Sequence, residues 1–263
     1  MKQVTIRTLR ELKRQQKRFA CITSYDASFA GLACAAGIET ILIGDSLGMV
    51  LQGHDSTLPV TVDDICYHVR CVRRGATTAM IIADMPFMSY ASPEAAFENA
   101  GKLMRAGAHM VKLEGGEWLV DTIRQLELRG APVCAHLGLT PQSVNSFGGY
   151  VVQGRSNEQA DKILADAKAL DDAGASLLVL ECVPAALAEQ ITKAVSMPVI
   201  GIGAGAGTDG QVLVMHDLLG MSPRPARFVR NFLEGSSGIE DAFRRFGDAV
   251  RDGSFPQPEH CFE

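Results

Sequence analysis

Short apolar runs recur along this chain, and several of them end at a single charged or polar side chain. The clearest are Ile41–Gly44 before Asp45, Met80–Ala83 before Asp84, Met110–Val111 with Lys112 and Leu113 before Glu114, Val133–Ala135 before His136, and Leu177–Leu180 before Glu181. Such runs are typical of buried parallel strands, which end at one shared edge of a sheet or barrel. Four carboxylates gathered at one edge repel each other unless a cation or a proton is present, so the pattern indicates an active site.

The same pattern, read over the whole chain, predicts strands that alternate with helices. The predicted strands are Phe19–Thr23, Thr40–Gly44, Ala79–Ala83, Met110–Glu114, Pro132–His136, Leu177–Glu181, Pro198–Gly203 and Val212–His216. Helix signals lie between them. Ser92 before Pro93 predicts a helix start that runs to Gly107, and Thr61 with Asp64 predicts a capping box.

Eight strands that alternate with helices predict an α/β fold, a closed (β/α)8 TIM barrel with its active site at the carboxyl ends of the strands. An open, doubly wound sheet is the alternative, but its glycine-rich turn would follow the first strand, whereas the glycines here follow the seventh. We therefore expect residues 1–263 to form one barrel domain with an extra N-terminal helix and a C-terminal helical extension. Roughly eight residues separate the seventh and eighth runs, so that link is a short turn or the eighth strand is misplaced.

Composition narrows the class of protein. The chain has 263 residues, 47% of them hydrophobic, and a formal net charge of −5 without a dense Lys or Arg run, which argues against nucleic acid and anionic membranes as partners. No stretch is long enough to span a membrane and no signal peptide is evident, so we expect a cytoplasmic location. Its seven cysteines form no C-x-x-C pair, which favours free thiols over a zinc site or a disulfide framework.

Three of the strand-end acids predict a metal site. Asp45, Asp84 and Glu114 end consecutive strands, and oxygen ligands without cysteine or paired histidine favour a hard cation such as Mg²⁺. The alternative is that one or two of these acids cap helices or pair with arginine. Ser46 follows Asp45 in a turn whose backbone N–H groups can meet an anion.

Lys112 lies two residues before Glu114, so both side chains are expected to point into the barrel. We interpret Lys112 as a group that binds a substrate carboxylate or stabilises an enolate, with a structural ion pair as the alternative. A Schiff base is disfavoured, because nearby acids keep the ammonium protonated. His136 is either a hydrogen-bond partner of a substrate oxygen or a satisfied core histidine, and Glu181 is the candidate general acid or base.

Two loops stand out. The segment Leu137–Asn157 is long and polar, and Phe147, Tyr150 and Arg155 give it side chains suited to covering a ligand, so we expect a binding loop. The glycine run Gly201–Gly207 is either a phosphate cradle or a close-packed turn.

Several longer motifs resemble one enzyme family. They are Gly44-Asp45-Ser46-Leu47-Gly48, Gln52-Gly53-His54-Asp55-Ser56-Thr57-Leu58-Pro59, Lys112-Leu113-Glu114-Gly115-Gly116, His136-Leu137-Gly138-Leu139-Thr140-Pro141-Gln142-Ser143 and Gly201-Ile202-Gly203-Ala204-Gly205. From Thr23 to about Gly220 the chain resembles the ketopantoate hydroxymethyltransferases, which transfer a one-carbon unit from 5,10-methylenetetrahydrofolate to 3-methyl-2-oxobutanoate in pantothenate biosynthesis.

The resemblance implies a role for each candidate residue. The residues assigned to Mg²⁺ are Asp45, Asp84 and Glu114. The resemblance implies that Ser46, Asp84 and Lys112 hold the keto acid, and we expect Asp45 and His136 to contact it as well. Glu181 is the implied proton acceptor, in a reaction that passes through a magnesium-stabilised enolate. The resemblance also implies small-molecule partners, namely the 2-oxo acid and the folate cosubstrate, and a homo-oligomer, commonly a decamer.

Two other functions fit the same strand-end residues. A metal-dependent aldolase or lyase that acts on a 2-oxo acid would use this edge without folate. A metabolite-binding scaffold without catalysis would keep the barrel but would not need Glu181.

Overall fold

The computed structural model describes residues 2–263, in which eight parallel strands close into a barrel. Strands β1 to β8 are Phe19–Thr23, Thr40–Ile43, Met80–Asp84, Met110–Glu114, Val133–Gly138, Leu177–Glu181, Val199–Ile202 and Gly210–Leu213. Each strand pairs in parallel with the next, and β8 pairs with β1. The predicted TIM barrel is confirmed and the open sheet is excluded.

Helices surround the barrel. Helices α1 to α11 are Ile6–Arg14, Ala27–Ala35, Leu47–Val50, Val62–Gly75, Pro93–Ala106, Val120–Leu128, Val144–Phe147, Asn157–Asp172, Ala185–Ala194, Met215–Leu218 and Ile239–Asp252. The predicted start signals are confirmed, because Thr61 and Asp64 form a capping box on α4 and the Ser92 side chain accepts from Ala95 N at the start of α5.

The barrel interior is closed at its amino-terminal end. Leu9 of α1 is 1% exposed and belongs to one apolar cluster with Phe19, Met80 and Leu177, which begin strands β1, β3 and β6. Lys13 of the same helix pairs with Asp209 at 2.8 Å. Because α1 covers this end, the carboxyl end of the barrel remains the open one.

The C-terminal helix packs on the flank of the barrel. Helix α11 contacts α2 and β1, and Phe246 lies edge-on to both Phe232 and Phe255. Arg251 of α11 donates from Nε to Glu39 Oε1 at 3.0 Å. The predicted helix after Gly238 is therefore present, and it covers this chain's own barrel.

The link between β7 and β8 is a short turn, as its length required. Strand β8 begins at Gly210 rather than Val212, because Gly210 pairs with Phe19, and His216 lies in α10 rather than in the strand. The glycine run forms a close-packed turn. Gly205 has a positive φ of 76°, and a Cβ there would lie 2.5 Å from Cβ of Ala185.

Two composition-based predictions can be compared with the structure. Among the helices within residues 2–263, none is both long enough and apolar enough to cross a membrane. All seven cysteines are free thiols, as predicted.

Candidate active site

A cavity of about 420 Å³ opens at the carboxyl ends of the strands. Its lining includes every residue predicted to act there: Asp45, Ser46, Asp84, Lys112, Glu114, His136 and Glu181. The strand register makes several of them neighbours, since Asp84 pairs with Lys112 and Glu114 pairs with His136. The side chains that the apolar pattern placed at one edge therefore share one site.

Asp45 and Asp84 lie side by side at the ends of β2 and β3. Asp84 Oδ2 accepts from Asp45 N at 2.9 Å, and both residues are buried. Burial and the neighbouring charges of Asp84 and Glu114 raise the pKa of Asp45 well above its usual value. The ionised form of the Asp45 carboxyl group is therefore disfavoured unless a cation lies nearby.

Lys112 occupies the space between two acids. Its Nζ donates to Asp84 Oδ1 and lies 3.4 Å from Glu114 Oε1. Burial alone would lower the pKa of Lys112, but Asp84, Glu114 and Asp45 together raise it well above its usual value. The ammonium is therefore held in its charged form, which is the state expected of an anion-binding lysine and unsuited to a Schiff base.

His136 connects Glu114 to Glu181. Its Nδ1 lies 3.1 Å from Glu114 Oε1 and its Nε2 lies 3.4 Å from Glu181 Oε2. Burial and Lys112 act against protonation of His136, but the charge and hydrogen bond of Glu114, together with nearby Glu181, raise the pKa of His136 to about 9. Burial would raise the pKa of Glu114, but Lys112 and His136 lower it to about 2. The charged imidazolium thus lies between two carboxylates.

The backbone around Glu181 has a constrained form. Gly138, which pairs with Glu181, has a φ of 88°, and a Cβ there would lie 2.3 Å from Glu181 O. Cys182 follows Glu181 with a φ of 48°, a left-handed conformation that costs a non-glycine residue of order 1 kcal/mol.

Burial raises the pKa of the Cys182 thiol and of the Cys134 thiol, so neither cysteine is suited to be a nucleophile.

Gln142 is a site residue that the pattern of strand ends does not predict. Its Nε2 donates to Asp45 Oδ2 at 2.8 Å and to Met85 O at 3.0 Å, while its backbone N donates to Glu114 Oε2 at 3.0 Å. Its Oε1 accepts from Tyr90 OH. Gln142 lies in the motif that begins at His136, so the motif contained the signal, but the apolar pattern did not.

Tyr25 is a second residue that sequence reasoning missed. Its hydroxyl lies 2.9 Å from Ser46 Oγ, and the residue is buried. Tyr25 follows β1, whose end carries no charged residue, so the strand-end pattern gave no signal for it. Its contact holds Ser46 at the cavity wall.

The segment 137–157 contributes less to the cavity than we expected. It contains a 3₁₀ turn, Pro141–Ser143, followed by α7. Tyr150 lines the cavity, as the binding-loop prediction requires. Phe147 and Arg155 do not line it. Phe147 instead lines a neighbouring cleft together with Trp118 and Lys162.

The residues present fit a divalent cation with few protein ligands. At the floor of this cavity the four carboxyl groups of Asp45, Asp84, Glu114 and Glu181 lie beside only two basic side chains, those of Lys112 and His136. Within residues 2–263, no three His, Cys, Asp or Glu side chains are close enough together to cage a metal. Mg²⁺ typically takes one or two carboxylates and completes its shell with water and substrate, so this arrangement suits it.

Comparisons with known proteins agree on one family. The ketopantoate hydroxymethyltransferase family matches residues 3–258. The 3-methyl-2-oxobutanoate hydroxymethyltransferases of Shewanella oneidensis and Pectobacterium atrosepticum are 60% and 59% identical to this chain, each over the full length of both chains.

Solved structures of more distant proteins share the barrel. Phosphoenolpyruvate phosphomutase from Streptomyces platensis subsp. rosaceus has a TM-score of 0.62 at 14% identity over 82% of each chain. A phosphonopyruvate hydrolase in complex with oxalate and Mg²⁺ has a TM-score of 0.62 at 12% identity, over 98% of this chain and 93% of the other. At these identities the likeness shows the fold alone.

Replacing Gln142 tests its role as the link between the acids. Gln142→Leu removes the donor to Asp45 Oδ2 and to Met85 O, so we expect the free energy of unfolding to fall by about 1–3 kcal/mol. Urea denaturation of the chelator-treated protein measures this. Gln190→Leu, at an exposed position, is the matched control and should change stability little. Equal effects of the two substitutions would contradict the role given to Gln142.

The charge of His136 is a second testable feature. Because its pKa is raised from 6.5 to about 9, the stability it contributes should be complete below pH 6.5 and be lost as the pH rises through about 9. Histidine NMR of the chelator-treated protein should show one ring with a midpoint near pH 9 that is missing in His136→Gln. A midpoint at or below 6.5 would contradict the charged imidazolium.

Proposed function

Since the chain belongs to the ketopantoate hydroxymethyltransferase family, we propose that it transfers a hydroxymethyl group from 5,10-methylenetetrahydrofolate to 3-methyl-2-oxobutanoate. The products are 2-dehydropantoate and tetrahydrofolate, and one water is consumed. The observation that carries the proposal is the convergence of Asp45, Asp84, Lys112 and Glu181 in one cavity. A cytoplasmic location and assembly as a homo-oligomer belong to the same proposal.

Asp45 and Asp84 are two of the protein residues that we propose would hold Mg²⁺. Glu114, the third acid assigned to the metal, accepts from His136 and from Gln142 N, and it would hold Mg²⁺ together with these two acids. When bound, Mg²⁺ supplies Lewis acidity that stabilises negative charge on the keto oxygen of the substrate.

Lys112 and Ser46 bind the keto acid in this proposal. Lys112 remains a buried ammonium beside Asp84, so it supplies a fixed positive charge for the anionic substrate. The Ser46 hydroxyl lies on the cavity wall, where Tyr25 holds it at 2.9 Å, and is available as a hydrogen-bond donor.

Glu181 removes the proton from C3 of the keto acid. Its side chain is 16% exposed and borders the cavity, where a carboxylate can reach the substrate, and His136 Nε2 lies 3.4 Å from its Oε2. The resulting enolate forms a bond from C3 to the one-carbon unit, both bonds from that carbon to the folate nitrogens break, and the water supplies the hydroxyl group. The remaining proton of the water and the proton removed from C3 balance the two new N–H bonds of tetrahydrofolate. His136 thus acts as the group that couples Glu181 to Glu114.

Product formation tests the reaction directly. The protein is incubated with 3-methyl-2-oxobutanoate, 5,10-methylenetetrahydrofolate and Mg²⁺, and NMR follows 2-dehydropantoate. We expect product only when folate and metal are both present and none after chelation. Product formed from formaldehyde but not from the folate would instead support a folate-independent aldolase, and no product from either donor would refute the proposal.

Replacement of Glu181 tests the assignment of the base. Glu181→Gln keeps the size of the side chain but removes the proton acceptor, so kcat should fall by about 10²- to 10⁴-fold. Exchange of the C3 proton of 3-methyl-2-oxobutanoate with D₂O should fall in parallel. Glu234→Gln, at an exposed site remote from the cavity lining, is the control and should retain both rates. Wild-type turnover in Glu181→Gln would refute the assignment.

A further inference from the structure

The cavity extends well beyond the charged floor that we assign to the keto acid. Its volume of about 420 Å³ lies in the range of sites that enclose drug-sized ligands, and a five-carbon acid does not fill it. The remainder of the lining consists of an apolar part and a polar part. An apolar wall is formed by Val179, Ile202, Val212, Val214 and Phe228, and a polar mouth includes Asp217, Ser222 and Arg224.

Arg224 differs from the other cations of this cavity. Lys112 is paired with Asp84 and Glu114, and His136 lies between Glu114 and Glu181. Arg224 is exposed at the mouth and has no hydrogen-bond or ion-pair partner among residues 2–263. The nearby Asp217 carboxylate accepts from the Ser222 hydroxyl instead. The mouth therefore presents a guanidinium whose donors are free for a ligand.

We propose that Arg224 binds a carboxylate of the glutamate tail of the folate cosubstrate. This inference rests on the proposed function, because it concerns the second substrate of the same cavity. The flat ring system of the folate lies against the apolar wall in this arrangement, and its reactive carbon faces the floor. The charged tail then extends to the mouth.

The charges of the cavity explain why the folate tail is placed at the mouth of the cavity and not at its floor. The floor has four carboxyl groups beside Lys112 and His136, and the keto acid brings a further carboxylate to it. A folate tail with two carboxylates would be repelled there and attracted to the guanidinium at the mouth. Arginine suits this role because its planar donors match a carboxylate in a bidentate geometry.

The experiment compares Michaelis constants for the two substrates in wild type, Arg224→Ala, Arg224→Lys and Arg224→Glu. Because an exposed ion pair is weak, we expect Arg224→Ala to raise KM for 5,10-methylenetetrahydrofolate about two- to fivefold. Arg224→Glu should raise it further, and Arg224→Lys should restore part of the loss. KM for 3-methyl-2-oxobutanoate and the folate-independent exchange of its C3 proton should stay near wild type, which also shows that the variants are folded.

Ionic strength supplies a second readout. Salt screens exposed charges, so KM for the folate should rise with added NaCl in wild type and rise less in Arg224→Ala. Arg74→Ala is the matched control, because Arg74 is an exposed arginine on α4 that does not line the cavity.

Two failures can be told apart. If wild type turns over the folate but Arg224→Ala and Arg224→Glu match Arg74→Ala in KM and in salt dependence, the tail does not bind Arg224 and this inference is overturned. If wild type shows no folate-dependent product at all, the proposed function itself is refuted and the inference falls with it.

Discussion

The open end of the barrel buries more carboxyl groups than basic side chains, and the rest of the site depends on that imbalance. Lys112 and His136 each lie between acids, and their pKa values are raised because of it. The pKa of Asp45 is also raised, because burial and the neighbouring acids Asp84 and Glu114 disfavour its negative charge. Such a cluster is costly to keep in a fold, so a bound cation is the simplest way to stabilise it.

The barrel makes this cluster possible because strand register decides which side chains become neighbours. Asp84 is beside Lys112 across β3 and β4, and Glu114 is beside His136 across β4 and β5. The alternation along β4 points both Lys112 and Glu114 into the barrel. Side chains from five different strands thus meet without any long loop between them, which is a rigid way to orient charged groups.

The sequence predicted the parts of the structure that follow from periodicity and from strand ends. Eight strands and the gathering of Asp45, Asp84, Glu114, His136 and Glu181 came from the apolar pattern alone. The start of β8 was wrong by two residues, because Gly210 and Gln211 are not apolar, although they pair with β1 and are buried. Gln142 could not be found in this way, because it reaches Asp45 from a loop 97 residues away in the sequence, and only folding reveals that contact.

The central claim is that the acids at the barrel end hold one divalent cation together with the keto acid. Isothermal titration of Mg²⁺ into the chelator-treated protein, with 3-methyl-2-oxobutanoate present, tests this most directly. We expect one cation per chain in wild type and in the control Asp172→Asn, whose position is exposed, but at least about tenfold weaker binding in Asp84→Asn. Unchanged Mg²⁺ affinity in Asp84→Asn, or no binding in wild type, would contradict the account.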